Sequence, residues 1–162
     1  MTRKGSQDII INGERFHLDL GLSGLAMSPD FNYLYWSSTY SDELYQVPTW
    51  PLRTSNVSIS DHVRFVGHKV SNTDDMIHGK DSLYFGALTL DAVYRWEKRR
   101  DMLDQHLSEK EVTMETQTQL VQNWETLQWP DSLCLDNHGN LWFTSSRAHL
   151  FLKLVLILSE RV

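Results

Sequence analysis

Apolar and polar positions follow one pattern that occurs three times along the chain. In the clearest copy, an apolar segment at 133–135 leads into a polar turn with a glycine at 136–140, and a second apolar segment follows at 141–143. Two β-prone segments separated by a short glycine-containing turn are typical of a β-hairpin. The pattern therefore predicts two antiparallel strands in this part of the chain.

Two further copies of the pattern lie upstream, with their turns at 28–32 and 78–81. The copies align on one leucine in the second apolar segment of each, namely Leu34, Leu83 and Leu141. A repeat of roughly 50 to 60 residues with several short strands is typical of propeller blades. We therefore predict an all-β fold, a partial β-propeller with about three blades of four-stranded antiparallel sheet.

Further strands are predicted outside the hairpins. A third short strand follows each of them, at 43–47, 92–96 and 149–152. Alternation at 61–67 predicts the outer strand of the first blade, and 118–122 is interpreted as the outer strand of the second. The polar segment from Lys98 to Thr118 is predicted to hold a short helix or a long surface loop.

The two ends of the chain differ from the repeats. Residues 1–8 resemble a disordered start, and Asn12-Gly13 predicts a tight hairpin turn between 9–11 and 16–18. The aliphatic segment 150–158 is interpreted as a buried final strand or as a terminus that exposes apolar surface. The predicted domain organisation is an N-terminal extension at 1–14, a propeller domain at 15–154 and a divergent apolar tail at 155–162.

Composition and charge narrow the classes of partner. The 162 residues are 41% hydrophobic and include six Trp, six Tyr and six Phe, which favours a β-rich globular domain. A net charge of −6 and the lack of a basic stripe argue against a nucleic-acid partner. The longest basic cluster, Lys98–Arg100, is interpreted as solvated loop charge, and the lone Cys134 as a buried thiol.

No apolar segment reaches the about 20 residues that a membrane span needs, and none follows the basic start at 1–5, so neither a membrane anchor nor a signal peptide is predicted. Asn56-Val57-Ser58 is a candidate glycosylation site. The histidines show no metal-ligand spacing and there is one cysteine, so no metal site and no cofactor is predicted.

Several segments match the motifs of a known family. The most specific is Glu125-Thr126-Leu127-Gln128-Trp129-Pro130-Asp131, followed after the turn by Asn140-Leu141-Trp142-Phe143. Weaker matches lie at 24–30, 34–36, 44–48, 71–76, 83–86 and 94–96. On these segments the chain resembles the yellow / major royal jelly protein family over residues 15–152.

The resemblance implies a secreted six-bladed β-propeller of which this chain holds the C-terminal half. The family pattern continues beyond Phe151 into a segment that helps to close the ring, whereas this chain diverges there. We therefore expect a truncated product or an incomplete gene model. A half propeller would expose a sheet face and an open edge, which favours self-association.

The resemblance also implies a ligand, a biogenic amine or a catechol, and a role in cuticle pigmentation. Propellers bind ligands in the loops that enter the first strand and leave the second strand of each blade. An ammonium ligand needs carboxylate, hydroxyl and aromatic partners. The predicted ligand-binding residues are Asp75, Thr89, Trp129, Asp131, Thr144 and Ser146. Alternatively, the two aspartates only accept hydrogen bonds from backbone amides in the blade turns.

A dopachrome-converting isomerase is the alternative function. Tautomerisation needs a general acid and a general base, which histidine can supply near neutral pH. The candidates are His68, His78 and His138. Because His78 and His138 fall in hairpin turns away from the predicted site, they are interpreted as solvent-exposed, and no catalytic residue is assigned.

Overall fold

The computed structural model describes residues 8–11, 13–17 and 21–159, which form four antiparallel sheets. The first sheet is a hairpin of β1 (Asp8–Ile11) and β2 (Glu14–His17), in which Ile9 pairs with Phe16. This confirms the hairpin predicted around Asn12-Gly13, although Asn12, Leu18 and the predicted disordered residues 1–7 lie outside the described residues.

The second sheet, blade 1, has four strands in sequence order. They are β3 (Leu22–Met27), β4 (Tyr33–Ser38), β5 (Glu43–Pro48) and β6 (Arg64–His68). Two short 3-10 helices, Pro51–Arg53 and Ile59–His62, lie between β5 and β6. The predicted outer strand of this blade is thus confirmed.

The third sheet, blade 2, repeats that topology. Its strands are β7 (Met76–His78), β8 (Leu83–Ala87), β9 (Ala92–Trp96) and β10 (Gln117–Gln122). A 3-10 helix, Leu88–Leu90, follows β8, and the helix α1 (Lys98–Asp104) follows β9. β7 contacts β3 on one side and β11 on the other, so the first strands of the sheets lie next to one another.

The fourth sheet, the third hairpin, has two strands, β11 (Pro130–Leu135) and β12 (Leu141–Ser145). The strand predicted at 149–152 is wrong, because these residues belong to the helix α2 (Ala148–Ser159). The interpretation of 150–158 as a final strand is wrong for the same reason. The segment lacks the alternation of a strand, and its leucines favour a helix.

Two apolar clusters join the two blades and the third hairpin. Between blade 1 and blade 2 lies the larger one, in which Tyr35, Leu44, Phe85 and Trp96 are fully buried. Between blade 2 and the third hairpin, Val93 packs against leucines of the next repeat. Among the described residues, no helix has the length and the apolar content to cross a lipid bilayer.

The burial of Lys98 and the exposure of Cys134 contradict the sequence interpretation. Lys98 is buried rather than solvated, because its ammonium group forms a salt bridge with Glu109 and lies 5.7 Å from the centre of the Tyr35 ring. Cys134 is exposed rather than buried. Side chains alternate along a strand, and Cys134 lies on the face of β11 opposite to the buried Leu133.

Candidate functional site

Asp74 joins all three repeats at the end of the sheets where the first strands begin. The hydroxyl of Ser23, in β3, donates a hydrogen bond to Asp74 Oδ1 over 2.5 Å. Trp129 Nε1, just before β11, donates to Asp74 Oδ2 over 2.8 Å. A hydrogen bond to a carboxylate is stronger than one between neutral groups, so Asp74 links the three repeats at this end of the sheets. We term this end the mouth.

Asp75 connects blade 2 to the third hairpin. Its Oδ2 atom accepts a hydrogen bond from the backbone amide of Leu133 over 2.8 Å. The pairing of β11 with β12 shifts register between Pro130 and Leu133, which leaves room for this amide to find a partner outside its own hairpin. Asp75 therefore accepts a backbone amide, as the alternative interpretation predicted, but this amide lies in β11 and not in a blade turn.

Asp131 adds a third acidic side chain to the mouth, beside Asp74 and Asp75. Partial burial, then a hydrogen bond with Asp74 and the charges of Asp74 and Asp75, raise the pKa of Asp131. Within the described part of the chain, no lysine or arginine forms a salt bridge with any of these aspartates. Adjacent carboxylates repel one another, so a bound cation would lower the energy of this arrangement.

The predicted hydroxyl residues divide into two groups. Thr144 Oγ1 accepts a hydrogen bond from the amide of Ser132 over 3.3 Å, and the amide of Ser146 donates to the Trp129 carbonyl oxygen over 3.1 Å. Both residues thus lie in the same hairpin as Asp131. Thr89 instead shares a hydrogen bond of 2.8 Å with the Ser71 hydroxyl in blade 2.

The indole of Trp129 is covered in this structure. Its side chain is 2% exposed, and its ring stacks on His149 with a centroid distance of 6.3 Å and an interplanar angle of 17°. Trp129 has a φ of 56°, a left-handed conformation that is costly for a bulky residue and that the surrounding contacts must hold. A ligand can stack on this indole only after the residues that bury it have moved away.

The cover consists of the β1–β2 hairpin and the first turn of α2. Ile9, Ile11 and Phe16 pack in one apolar cluster with Trp129. Lys153 in α2 forms a salt bridge of 2.5 Å with Glu14 in β2, which ties the two parts together. Ile9 and Ile11, in the segment predicted as an extension, are therefore part of the packing over the mouth.

His149 is a mouth residue that sequence reasoning missed. It is 3% exposed, and the edge of Phe16 contacts its ring. Burial, and to a lesser degree the charge of Arg147, lower its pKa. The residue was interpreted as part of a strand, and no local pattern marks it as a neighbour of Trp129.

The histidines considered for catalysis lie elsewhere. His78 is buried rather than exposed, which contradicts its assignment to an open turn, because it is the last residue of β7 and packs 5.3 Å from the Tyr35 ring centre. Burial, followed by the charge of Lys98, lowers the pKa of His78 to about 4. His138 is exposed in its turn, and His68 pairs with Asp42 over 3.2 Å.

Asn56 of the candidate glycosylation site is exposed and has a φ of 63° in the connection between the two 3-10 helices of blade 1. An exposed asparagine in a turn is accessible to a modifying enzyme, and its modification stays a prediction.

In the described part of the chain, no group of three or more potential ligands could hold a metal ion.

Successive four-stranded antiparallel sheets whose first strands adjoin define a β-propeller architecture. Solved propeller enzymes are similar in fold. A streptogramin B lyase structure matches with a TM-score of 0.52 and 12% identity over 78% of this chain and 35% of that chain. Catalytically inactive virginiamycin B lyase from Staphylococcus aureus with quinupristin matches with a TM-score of 0.50 and 10% identity, over 87% of this chain and 39% of the other.

The chain belongs to the major royal jelly protein family, whose model matches residues 2–160. Major royal jelly protein 1 of Apis mellifera is 31% identical over 96 residues, which cover 57% of this chain and 22% of the relative. Major royal jelly protein 2 of the same species is 32% identical over 101 residues, or 60% and 22%. The chain therefore spans only a small part of the relatives that it matches, and the predicted family resemblance is confirmed.

Proposed function

We propose that the protein binds a small aromatic amine at the mouth, with the ammonium group on the carboxylates of Asp74 and Asp131. The observation that supports this most directly is the cluster of aspartates at the junction of the three repeats, which forms no salt bridge with a lysine or arginine among the described residues. The likeness to lyases supports the fold alone, so it adds nothing to the choice of ligand.

The donors and acceptors of the mouth suit an ammonium group. Each carboxylate oxygen can accept two hydrogen bonds, so Asp74 keeps acceptor capacity beyond its bonds to Ser23 and Trp129. An ammonium group beside Asp131 would favour its ionised form and so offset the effect of its acidic neighbours. Thr144 lines the cavity beside Cys134 and Trp142, so the proposal assigns it no contact with the ligand.

Isothermal titration with dopamine and serotonin tests this proposal. We expect Asp131→Asn to weaken binding roughly tenfold or more, since a hydrogen bond to a charged group contributes about 1.5–3 kcal/mol. Asp104→Asn is the matched control, because Asp104 is exposed in α1, away from the mouth, and pairs only with Arg100. Equal binding of dopamine by both variants would contradict the proposed role of Asp131.

Two further measurements test whether the charge of the ammonium group, and not the shape of the ring alone, determines binding. Catechol without the amine should bind far more weakly than dopamine, because it cannot form the ammonium contact. Dopamine binding should also weaken as the pH falls through the raised pKa of Asp131, since protonation removes the charge. If removal of the amine and a lower pH both leave the affinity unchanged, the ammonium group has no role in binding.

We extend the proposal to the setting in which such a ligand occurs. Membership of the major royal jelly protein family supports a secreted protein, and the amines that feed cuticle pigmentation carry the ring and the ammonium group that the mouth suits. Detection of the protein in extracellular fluid, together with altered pigmentation on its loss, would support this role. Retention inside cells would contradict the extracellular part.

A further inference from the structure

The outward face of blade 1 carries an apolar ladder that crosses all four strands. Leu25, Trp36, Tyr45 and Phe65 pair with one another in register, one residue from each strand. The Trp36 and Tyr45 rings stack at 5.8 Å and 19°, and Leu25 and Phe65 remain 48% and 44% exposed. A cavity of about 300 Å³ lies beside the two stacked rings. This set of residues is the blade 1 ladder.

Blade 2 carries the equivalent ladder, and there it is covered. Met76, Phe85 and Tyr94 pair in register, and the Phe85 and Tyr94 rings stack at 6.1 Å and 22°. The cover is the opposite face of blade 1, where Ala26 and Tyr35 are buried in one cluster with Met76 and Phe85. Within the molecule, such a ladder therefore packs against the opposite face of the neighbouring sheet, which we term the covering face.

The same arrangement recurs at the next junction. Ile77 and Tyr84, which are paired on the covering face of blade 2, pack in one cluster with Leu133 of the third hairpin. Leu133 occupies the position in its hairpin that Met76 occupies in blade 2, since each pairs with a phenylalanine of the following strand. Each sheet thus presents a ladder on one face and a cover on the other.

The third hairpin has a covering face without a partner among the described residues. Cys134 pairs with Trp142, as Ala26 pairs with Tyr35 in blade 1. Trp142 is 61% exposed and Cys134 is exposed, and together they line a cavity of about 250 Å³. Among the described residues, nothing therefore packs on the ladder at one end of the row of sheets or on the covering face at the other.

We propose that a second copy of this chain docks head-to-tail, with the Cys134–Trp142 face of one copy on the blade 1 ladder of the other. The contact would repeat a junction that the chain already makes twice within itself. Large exposed aromatic patches mark interaction sites, and the two faces are different surfaces of one molecule, so the interface is heterologous. Only the inner two strands of the ladder would be covered, because the third hairpin has two strands.

Sedimentation velocity on the whole chain tests the proposal over a range of concentrations. We expect the wild type to form a species larger than its 18.9 kDa chain, and Trp36→Asp and Trp142→Asp each to lower the association constant by roughly tenfold or more. Trp124→Asp is the matched control, because Trp124 is 67% exposed in the connection between β10 and β11, on neither face. A wild type that stays monomeric at every concentration would overturn the proposal.

Mixing the two variants gives the sharper result. The Trp36→Asp chain keeps an intact covering face and the Trp142→Asp chain keeps an intact ladder, so an equimolar mixture should form a pair that neither variant forms alone. Near-UV circular dichroism of each variant establishes that it is folded. Folded variants that do not pair on mixing, or an assembly that both substitutions leave unchanged, would show that the copies do not associate head-to-tail.

Discussion

Blade 2 and the third hairpin begin with the same repeat and continue differently. After its hairpin, blade 2 adds β9 and β10 and buries its ladder against blade 1, whereas the third hairpin is followed by the helix α2. The hairpins are specified locally by turn chemistry and alternation, while completion of a sheet needs further alternating segments. Blade 2 has such segments, whereas the largely aliphatic segment after β12 lacks alternation and does not supply one.

The largest expected effect is a difference in stability loss between a buried tryptophan of blade 2 and an exposed tryptophan of the third hairpin. Trp96→Ala in blade 2 should destabilise the protein by about 3–5 kcal/mol, because Trp96 is fully buried and its indole donates to Asp101 over 2.7 Å. Trp142→Ala in the third hairpin should cost about 1 kcal/mol or less, since Trp142 is largely exposed. Urea unfolding measures both, and similar losses would mean that the third hairpin is packed as tightly as blade 2.

A smaller effect is expected where the two regions touch. A Cβ atom on Gly86 would lie 2.8 Å from both Cβ and the carbonyl oxygen of Pro130, so Gly86→Ala must push β8 and β11 apart. We expect a loss of about 1–3 kcal/mol. Gly21→Ala is the control, because nothing lies within 4 Å of its added methyl group. An unchanged thermal midpoint for Gly86→Ala would contradict the close contact of blade 2 with the third hairpin.

The turn of the third hairpin should respond to acid. Hydrogen bonds from the Asn140 side chain, then from the Trp142 indole and from backbone amides, lower the pKa of Asp136 to about 2, against a reference of 3.8. Because the folded pKa is the lower one, the stabilisation is present above pH 3.8 and is lost as the pH falls toward 2. Asp136→Asn should flatten the stability profile in that window.

Proton titration of Asp136 by NMR supplies the independent check on this turn. A midpoint near the ordinary aspartate value would show that the bonds from Asn140 and Trp142 are not held in solution. Asp61→Asn serves as the comparison in the stability profile, since Asp61 is exposed in the 3-10 helix that precedes β6.

The smallest expected effect on stability comes from the exposed thiol. Cys134→Ser should change the free energy of unfolding by about 0.5 kcal/mol or less, because the Cys134 side chain is exposed. Native Cys134 should react with a thiol reagent nearly as fast as the unfolded chain does. Strong protection of the dilute, monomeric protein would mean that another part of the chain covers this face.

The hairpins and their order could be predicted from the sequence, because turn residues and alternation act over a few neighbouring positions. The strand order of propellers predicted that Asp75, Trp129 and Asp131 lie near the starts of the first strands, and their contact with a ligand stays a prediction. The bridging role of Asp74 was missed, since its partners Ser23 and Trp129 come from two other repeats. The position of His149 was missed because α2 was interpreted as a strand.

Three hairpins and the family membership are determined by the sequence alone, since each rests on local patterns or on a continuous motif. Which side chains are buried was decided by the tertiary structure. His78 and Lys98 are both buried against Tyr35, which precedes them in another blade, while Cys134 is exposed although its strand is apolar. Burial depends on which sheet packs on a face, and that neighbour comes from a distant part of the chain.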